Sequence, residues 1–192
     1  MIKWPGVIKP GTIVNDIGAH EDMLTTLVAA AGDATAKEDL LKGRTIGGMN
    51  YKVHLDGYDL APALKGQAAW PRHEFIYWTD DGSVAALRYD NWKITFLKQD
   101  AEGMNVWLRP FTPLRAPLIT NLRMDPFERA EHENAMGYQR WWIDRMFLLA
   151  PAGAYVGQWL QSFREFPPRQ KPGSFNLDRV MEAVTKPQGG GG

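Results

Sequence analysis

The chain contains no cysteine. That excludes disulfides, thiolate metal sites and cysteine nucleophiles, and it leaves the compartment open. No apolar run reaches membrane length: the longest, Phe147-Leu148-Leu149-Ala150-Pro151-Ala152-Gly153-Ala154-Tyr155-Val156, falls well short of the roughly 20 residues a span requires. Met1 is followed by a Lys3-Trp4-Pro5 turn rather than an apolar stretch, so the sequence displays no signal peptide. Neither sign of charge dominates. Lys and Arg total 22, as do Asp and Glu, and they are interleaved rather than gathered in a stripe. Nucleic acid is therefore not an expected partner, and neither is a membrane surface.

What is present is enough for a core. The 192 residues are 44% hydrophobic and include 8 Trp, 8 Phe and 6 Tyr, which argues against intrinsic disorder and fits one ordinary domain, or one small domain plus part of another. Ile2 to Thr12 reads as the end of a buried strand followed by two Pro/Gly turns. A lone strand leaves a row of backbone groups unpaired. The expectation is that this segment pairs outside the chain, or that the chain is the back portion of a larger protein.

Residues 21–31 carry a helical pattern: Glu21 and Asp22 in the first turn, then Met23, Leu24, Leu27, Val28 and Ala31, with Gly32 as the stop. Residues 33–50 read as a polar surface excursion with one helical turn at Lys37–Lys42. Asp59 to Gly66 carries cap, first-turn proline and glycine stop. Gln67 to Arg72 reads as a linker. From Glu74 the hydrophobic period shortens to two. Phe75–Trp78, Val84–Tyr89 and Trp92–Leu97, separated by Asp80-Asp81-Gly82 and Asp90-Asn91, predict an antiparallel meander. Leu118–Leu122 is a fourth strand, reached through a long Pro/aromatic loop around 104–117 that either shapes a substrate entrance or packs on a neighbour. Tyr138, Trp142, Met146 and Leu149 form one helical stripe. Tyr155, Val156, Trp159, Leu160, Phe163 and Phe166 form another beyond a kink at Pro151. Asn176 caps a last short helix at Leu177–Val184. Gly189 to Gly192 is a flexible tail.

Taken in order, several strings resemble the sulfatases, and among them bacterial arylsulfatase-type enzymes. They are Lys3-Trp4-Pro5-Gly6-Val7-Ile8-Lys9-Pro10-Gly11-Thr12, His20-Glu21-Asp22-Met23-Leu24-Thr25-Thr26-Leu27 to Gly32, Leu55-Asp56-Gly57-Tyr58-Asp59-Leu60, and Leu64-Lys65-Gly66. Further along come Ala86-Leu87-Arg88-Tyr89-Asp90-Asn91-Trp92-Lys93, Asn121-Leu122-Arg123-Met124-Asp125-Pro126-Phe127-Glu128-Arg129-Ala130 and Glu165-Phe166-Pro167-Pro168-Arg169-Gln170-Lys171-Pro172. Each string alone is a common turn, and it is their order along nearly the whole chain that carries the resemblance. It implies an α+β architecture: a small antiparallel four-stranded sheet packed by a long C-terminal helix, preceded by the helical end of an alkaline-phosphatase-like α/β domain. The division would be 1–70 for the tail of the large domain, 71–186 for the small domain and 187–192 for the glycine tail.

The resemblance also implies chemistry that these residues do not supply. Such enzymes use a formylglycine made from a Cys/Ser-x-Pro-x-Arg string and a divalent cation, usually Ca²⁺, and both belong upstream of the Trp-Pro-Gly segment in family order. Here Ser83, Ser162 and Ser174 are the serines, and none begins that string. No catalytic and no metal-ligating residue is expected in this chain. The expected partners are the missing catalytic domain and, for the intact enzyme, a small sulfate ester, with a periplasmic or secreted address. Asp80-Asp81-Gly82 reads as a hairpin turn rather than a metal pair. His20, His54, His73 and His132 show no i, i+4 metal spacing. His20 alone is a candidate for the rim of a substrate pocket, against a surface or capping role, and Asp22 reads as a helix-start residue. Trp141-Trp142 and the Tyr155/Trp159/Phe163 stripe read as core rather than a ligand box. Two other readings stay open: a binding or scaffold module that borrowed the small domain, and the complementing half of a split sulfatase.

Overall fold

The computed structural model describes residues 1–133, 135–169 and 171–174. The short helix expected at Leu177–Val184, its cap Asn176 and the glycine tail lie outside the described residues. Within them the chain is mixed helix and sheet, and the α+β reading holds.

The centre is one antiparallel meander of four strands, β3 (Glu74–Trp78), β4 (Val84–Tyr89), β5 (Trp92–Lys98) and β6 (Thr112–Asn121), in the order β3-β4-β5-β6. Ahead of it come helix α1 (Asp22–Ala30), helix α2 (Ala36–Lys42), a hairpin of β1 (Arg44–Ile46) and β2 (Met49–Tyr51), and the single turn α3 (Ala61–Leu64). Behind it come α4 (Ala130–Glu133), α5 (Ala135–Ile143) and α6 (Leu149–Leu160).

The register explains the core. Ile76 pairs with Leu87, Leu87 with Ile94, and Ile94 with Ile119, so one row of aliphatic side chains crosses all four strands on one face. That row is buried against Ala152 and Val156 of α6. Two turns set it. Thr79 and Gly82 close the β3–β4 turn, with Gly82 N–H on the Thr79 carbonyl at 3.0 Å. Asp80 and Asp81 tie that turn to Gly173 and Ser174, so they act as turn residues. Asp90-Asn91 turns β4 into β5 with Asp90 at φ 48°, a left-handed conformation that Asp tolerates better than most residues.

The fourth strand is longer than the sequence pattern predicts, because it begins at Thr112 and takes in Pro113 and Pro117. Both prolines are tolerated because β6 is an edge strand, bonded to β5 alone within the sheet. Helix α5 then covers that free edge. The Tyr138 hydroxyl accepts the Ile119 N–H at 3.2 Å and donates to the Ile119 carbonyl at 3.0 Å, while Trp142 Nε1 donates to the Pro117 carbonyl at 3.0 Å. An edge that could template pairing with another chain is thereby closed by side chains.

Residues 2–4 lie beside no strand among the described residues, and the segment is mostly exposed turns. Two further local expectations are corrected. The excursion at 33–50 contains a hairpin, made by Gly47 and Gly48 at φ 59° and 83°, the geometry two-residue hairpin loops need. The C-terminal helical stretch is interrupted at 144–148, not at Pro151. Arg145 there donates from Nη1 to the Trp141 carbonyl at 3.0 Å and lies over the Trp141 ring, finishing α5 with a cation, as the helix dipole favours. Pro151 sits in the first turn of α6, where its missing N–H costs nothing.

The Ile76–Leu87–Ile94–Ile119 row gives a direct expectation. Ile119→Ala opens a cavity at the centre and lowers unfolding free energy by about 2–5 kcal/mol. Tyr138→Phe leaves both Ile119 backbone groups without their cover and costs about 1–3 kcal/mol. Urea unfolding followed by tryptophan fluorescence reads both; a change under about 0.5 kcal/mol for Ile119→Ala, the level of an ordinary surface substitution, would contradict the core assignment.

Candidate functional site

The densest charged cluster joins α1 to the entry of the sheet. Asp22 is the first residue of α1, and its side chain is 0% exposed; the Arg72 side chain, two residues ahead of β3, is 3% exposed. Arg72 grips Asp22 with Nε at 2.8 Å from Oδ2 and Nη2 at 2.5 Å from Oδ1, the two-pronged geometry that guanidinium and carboxylate share. The remaining carboxylate capacity goes to backbone: Tyr58 N–H on Oδ1 and Ala19 N–H on Oδ2, both at 2.8 Å. Arg72 is likewise spent, on the Glu74 carbonyl, the Asp56 carbonyl and Glu21 Oε1 at 2.8 Å.

The loop at 56–60 is laced onto the same side of α1. Thr25 donates to the Tyr58 carbonyl at 2.6 Å, and the Leu60 N–H donates to Thr26 Oγ1 at 2.9 Å. Gly57 makes this approach possible: a Cβ there would lie 2.1 Å from the Glu21 carbonyl oxygen, so no side chain fits. The Tyr58 ring carries cations on its faces, with Lys37 Nζ and the Arg72 guanidinium carbon each 4.8 Å from its centre. Its hydroxyl donates to Glu74 Oε1 at 2.6 Å.

Protonation follows from these contacts. Burial alone would raise the Asp22 carboxyl, but the Arg72 and backbone hydrogen bonds outweigh it and hold the group below the ordinary range. Burial raises Glu21, with Arg72 opposing. Burial pushes the Tyr155 phenol up to about 12, with the neighbouring Glu74 charge adding to it. Every oxygen of Asp22 is committed, so the cluster is a clasp and not an acid–base pair or a cation site.

The histidines scatter. His20 is exposed at the turn before α1, where its carbonyl accepts the Met23 N–H at 3.0 Å. His54 meets Asp56, His73 meets Asp90 and His132 meets Glu131, at 3.0, 2.9 and 3.1 Å. No group of three or more metal-ligating side chains occurs among the described residues. A cavity of about 320 Å³ between the sheet and α6 is lined by Leu87, Trp92, Ile94, Ala152 and two tyrosines, Tyr89 and Tyr155, with no charged side chain on its wall. Trp141 and Trp142 pack against the core, as do Tyr155 and Trp159. The sequence pattern points to Asp22 at a helix start but gives no sign of Arg72, which follows Trp70-Pro71 in what reads as a linker. The one cue was Gly57, inside the Asp56-Gly57-Tyr58 string.

The pair predicts a pH signature. Asp22 has a folded-state pKa below its unfolded value, so its contribution is complete above the unfolded range near pH 4 and fades as pH falls through the folded value. Asp22→Asn strands the buried Arg72 charge and costs about 3–5 kcal/mol near neutrality. The gap between wild type and variant narrows as pH drops below about 4. Thermal melts of both proteins from pH 7 to pH 2.5 check this; a gap independent of pH would remove the electrostatic account.

No protein-family model matches the chain. It is similar to arylsulfatase A of Homo sapiens, with 28% identity over 145 residues, covering 70% of this chain and 25% of that protein. It is similar to steryl-sulfatase of Mus musculus at 29% over 122 residues, covering 63% of this chain and 16% of that protein. Steryl-sulfatase of Rattus norvegicus matches at 29% over 89 residues, or 46% of this chain and 13% of that protein. The chain therefore spans a quarter or less of the length of these curated relatives. The resemblance carried by the residue strings holds: this chain is a homologue of sulfatases, matched over only a part of their length.

Proposed function

We propose that the chain is the C-terminal portion of an arylsulfatase-type sulfuric ester hydrolase and supplies scaffold rather than the reacting groups. On this reading residues 1–70 are the tail of the large α/β domain and 71–186 are the small domain, which contains the four-stranded sheet. The observation that carries this reading is the coverage: similarity extends over 70% of this chain but only 25% of arylsulfatase A.

The residues present do not fit the group that cleaves the ester. A formylglycine needs a cysteine or serine in the Cys/Ser-x-Pro-x-Arg string, and the sequence offers neither. A calcium centre needs several free oxygen ligands; Asp22 is consumed by Arg72 and two N–H groups, and Asp80 and Asp81 hold a turn. No step of the reaction is therefore assigned to this chain. Its contribution is positional. By clamping α1 against the sheet it fixes the turn bearing His20, which we place at the rim of the sulfate-ester pocket of the intact enzyme.

Pure chain incubated with a chromogenic aryl sulfate and calcium should give no turnover above buffer. Sustained hydrolysis that persists after mass spectrometry has ruled out a contaminating sulfatase would overturn the reading, as catalysis would then reside in these residues. The same chain should still melt cooperatively, because the sheet unit holds its own core row.

A further inference from the structure

Helix α6 meets the sheet with side chains of unequal size. Its first turns read Leu149-Ala150-Pro151-Ala152-Gly153-Ala154, and the larger Val156 and Trp159 come later. Ala152 and Val156 both pack on the aliphatic row, but a methyl group reaches less far than a branched side chain. Over Leu87 and Ile94 the helix therefore leaves a cavity of about 320 Å³, where protein interiors keep few voids larger than a water molecule. The buried side chains of Leu87, Ile94 and Ala152 form part of its wall. Three aromatic rings, Tyr89, Trp92 and Tyr155, form another part. Those rings are held in place: Tyr89 meets Tyr155 edge-on with centres 5.9 Å apart, and Trp92 stacks on Trp141 at 6.1 Å. Tyr89 is 45% exposed, so it marks the side on which the cavity meets solvent.

We propose that this cavity is a binding site for a small, uncharged aromatic molecule of two fused rings, seated against Leu87, Ile94 and Ala152 and in contact with Tyr89, Trp92 and Tyr155. Size sets the first limit. An apolar cavity of about 150 Å³ takes up benzene, and this one is about twice as large. Wall chemistry sets the second. No charged side chain lines the cavity, so a charged guest would lose its hydration with nothing to replace it. The Glu74 charge beside the Tyr155 phenol adds a repulsion for anions. The three rings set the third, because edge and offset ring contacts favour an aromatic guest over a saturated one of the same skeleton. Apolar and aromatic walls with a few polar atoms, here two phenol oxygens and one indole nitrogen, are the usual make-up of a small-molecule site. The proposal stands apart from the fragment reading, since every residue it uses belongs to the sheet or to the segment that covers it.

The test titrates the full chain with 2-naphthol by isothermal titration calorimetry and maps the complex by amide NMR. Expected are saturable binding at a single site with a Kd on the order of 0.1 mM, the range open to a ligand of about a dozen heavy atoms, and shift changes centred on Leu87, Ile94 and Ala152. The saturated counterpart 2-decalol should bind about tenfold more weakly, and 2-naphthalenesulfonate should give no measurable heat. Ala152→Leu and, separately, Leu148→Phe place carbon inside the cavity. Each should weaken 2-naphthol binding by at least about tenfold, with a thermal melt no lower than wild type. Met104→Ala, on an exposed loop outside the cavity wall, should leave binding intact. Absence of 2-naphthol binding would overturn the proposal, as would equal affinity for the sulfonate or for 2-decalol. Undiminished binding by filled variants that still melt cooperatively would place the guest elsewhere and overturn it too. Should both filled variants fail to fold, the NMR map of the wild type decides: shift changes at the cavity residues support the site, and changes confined to other residues overturn it.

Discussion

One buried carboxylate–guanidinium pair decides how this molecule is arranged. Taking Asp22 and Arg72 out of water is expensive, and the attraction between them repays the cost only when the leftover hydrogen-bonding capacity is filled. Here it is filled from both sides, by Ala19 and Tyr58 on the carboxylate and by the Asp56 and Glu74 carbonyls on the guanidinium. Such a pair adds little net stability over a well-packed apolar substitute, but it tolerates only one geometry. Arg72 bonds a backbone carbonyl of β3 and both oxygens of the first residue of α1, so the helix has a single allowed rotation relative to the sheet.

That rotation has a consequence for packing. With the threonines and Asp22 turned inward, hydrogen bonds rather than hydrophobic burial hold α1 to the 56–60 loop. Net hydrogen-bond contributions are of order 1 kcal/mol each, so the first seventy residues are held by a few directional contacts and little apolar area. The sheet unit is built the opposite way, from a four-residue aliphatic row, two buried residues of α6 and a fringe of aromatics. Local stability in one chain is therefore uneven, high in the meander and low in the helical lead-in.

How much of this was legible in the sequence depended on the range of the interaction. The meander was readable because strand alternation and turn residues such as Asp90-Asn91 are local, and the register follows from the turns. Helix α1 was readable too, yet its orientation was not. Asp22/Thr25/Thr26 and Leu24/Leu27/Val28 are two stripes with the same spacing, and which one faces inward is settled by Arg72, fifty positions away. The hairpin at Gly47-Gly48 carried a usable signal, since paired glycines between Ile46 and Met49 suit a two-residue turn. The extension of β6 through two prolines was not legible from pattern, because a proline argues against a strand until the strand is known to be an edge. His20 is exposed in the turn ahead of α1.

The two halves also differ in what each demands of its surroundings. An edge strand left open invites pairing with any extended chain, and here Tyr138 and Trp142 close it with donors and acceptors aimed at the Pro117–Ile119 backbone. Those contacts cover the β6 edge, and α6 covers the aliphatic row. The α1 side is finished only in its polar bonds; its apolar stripe still meets solvent. The same clasp that turns the leucines outward also holds them in place, because a helix pinned by a two-pronged ion pair presents its outer face without further ordering cost.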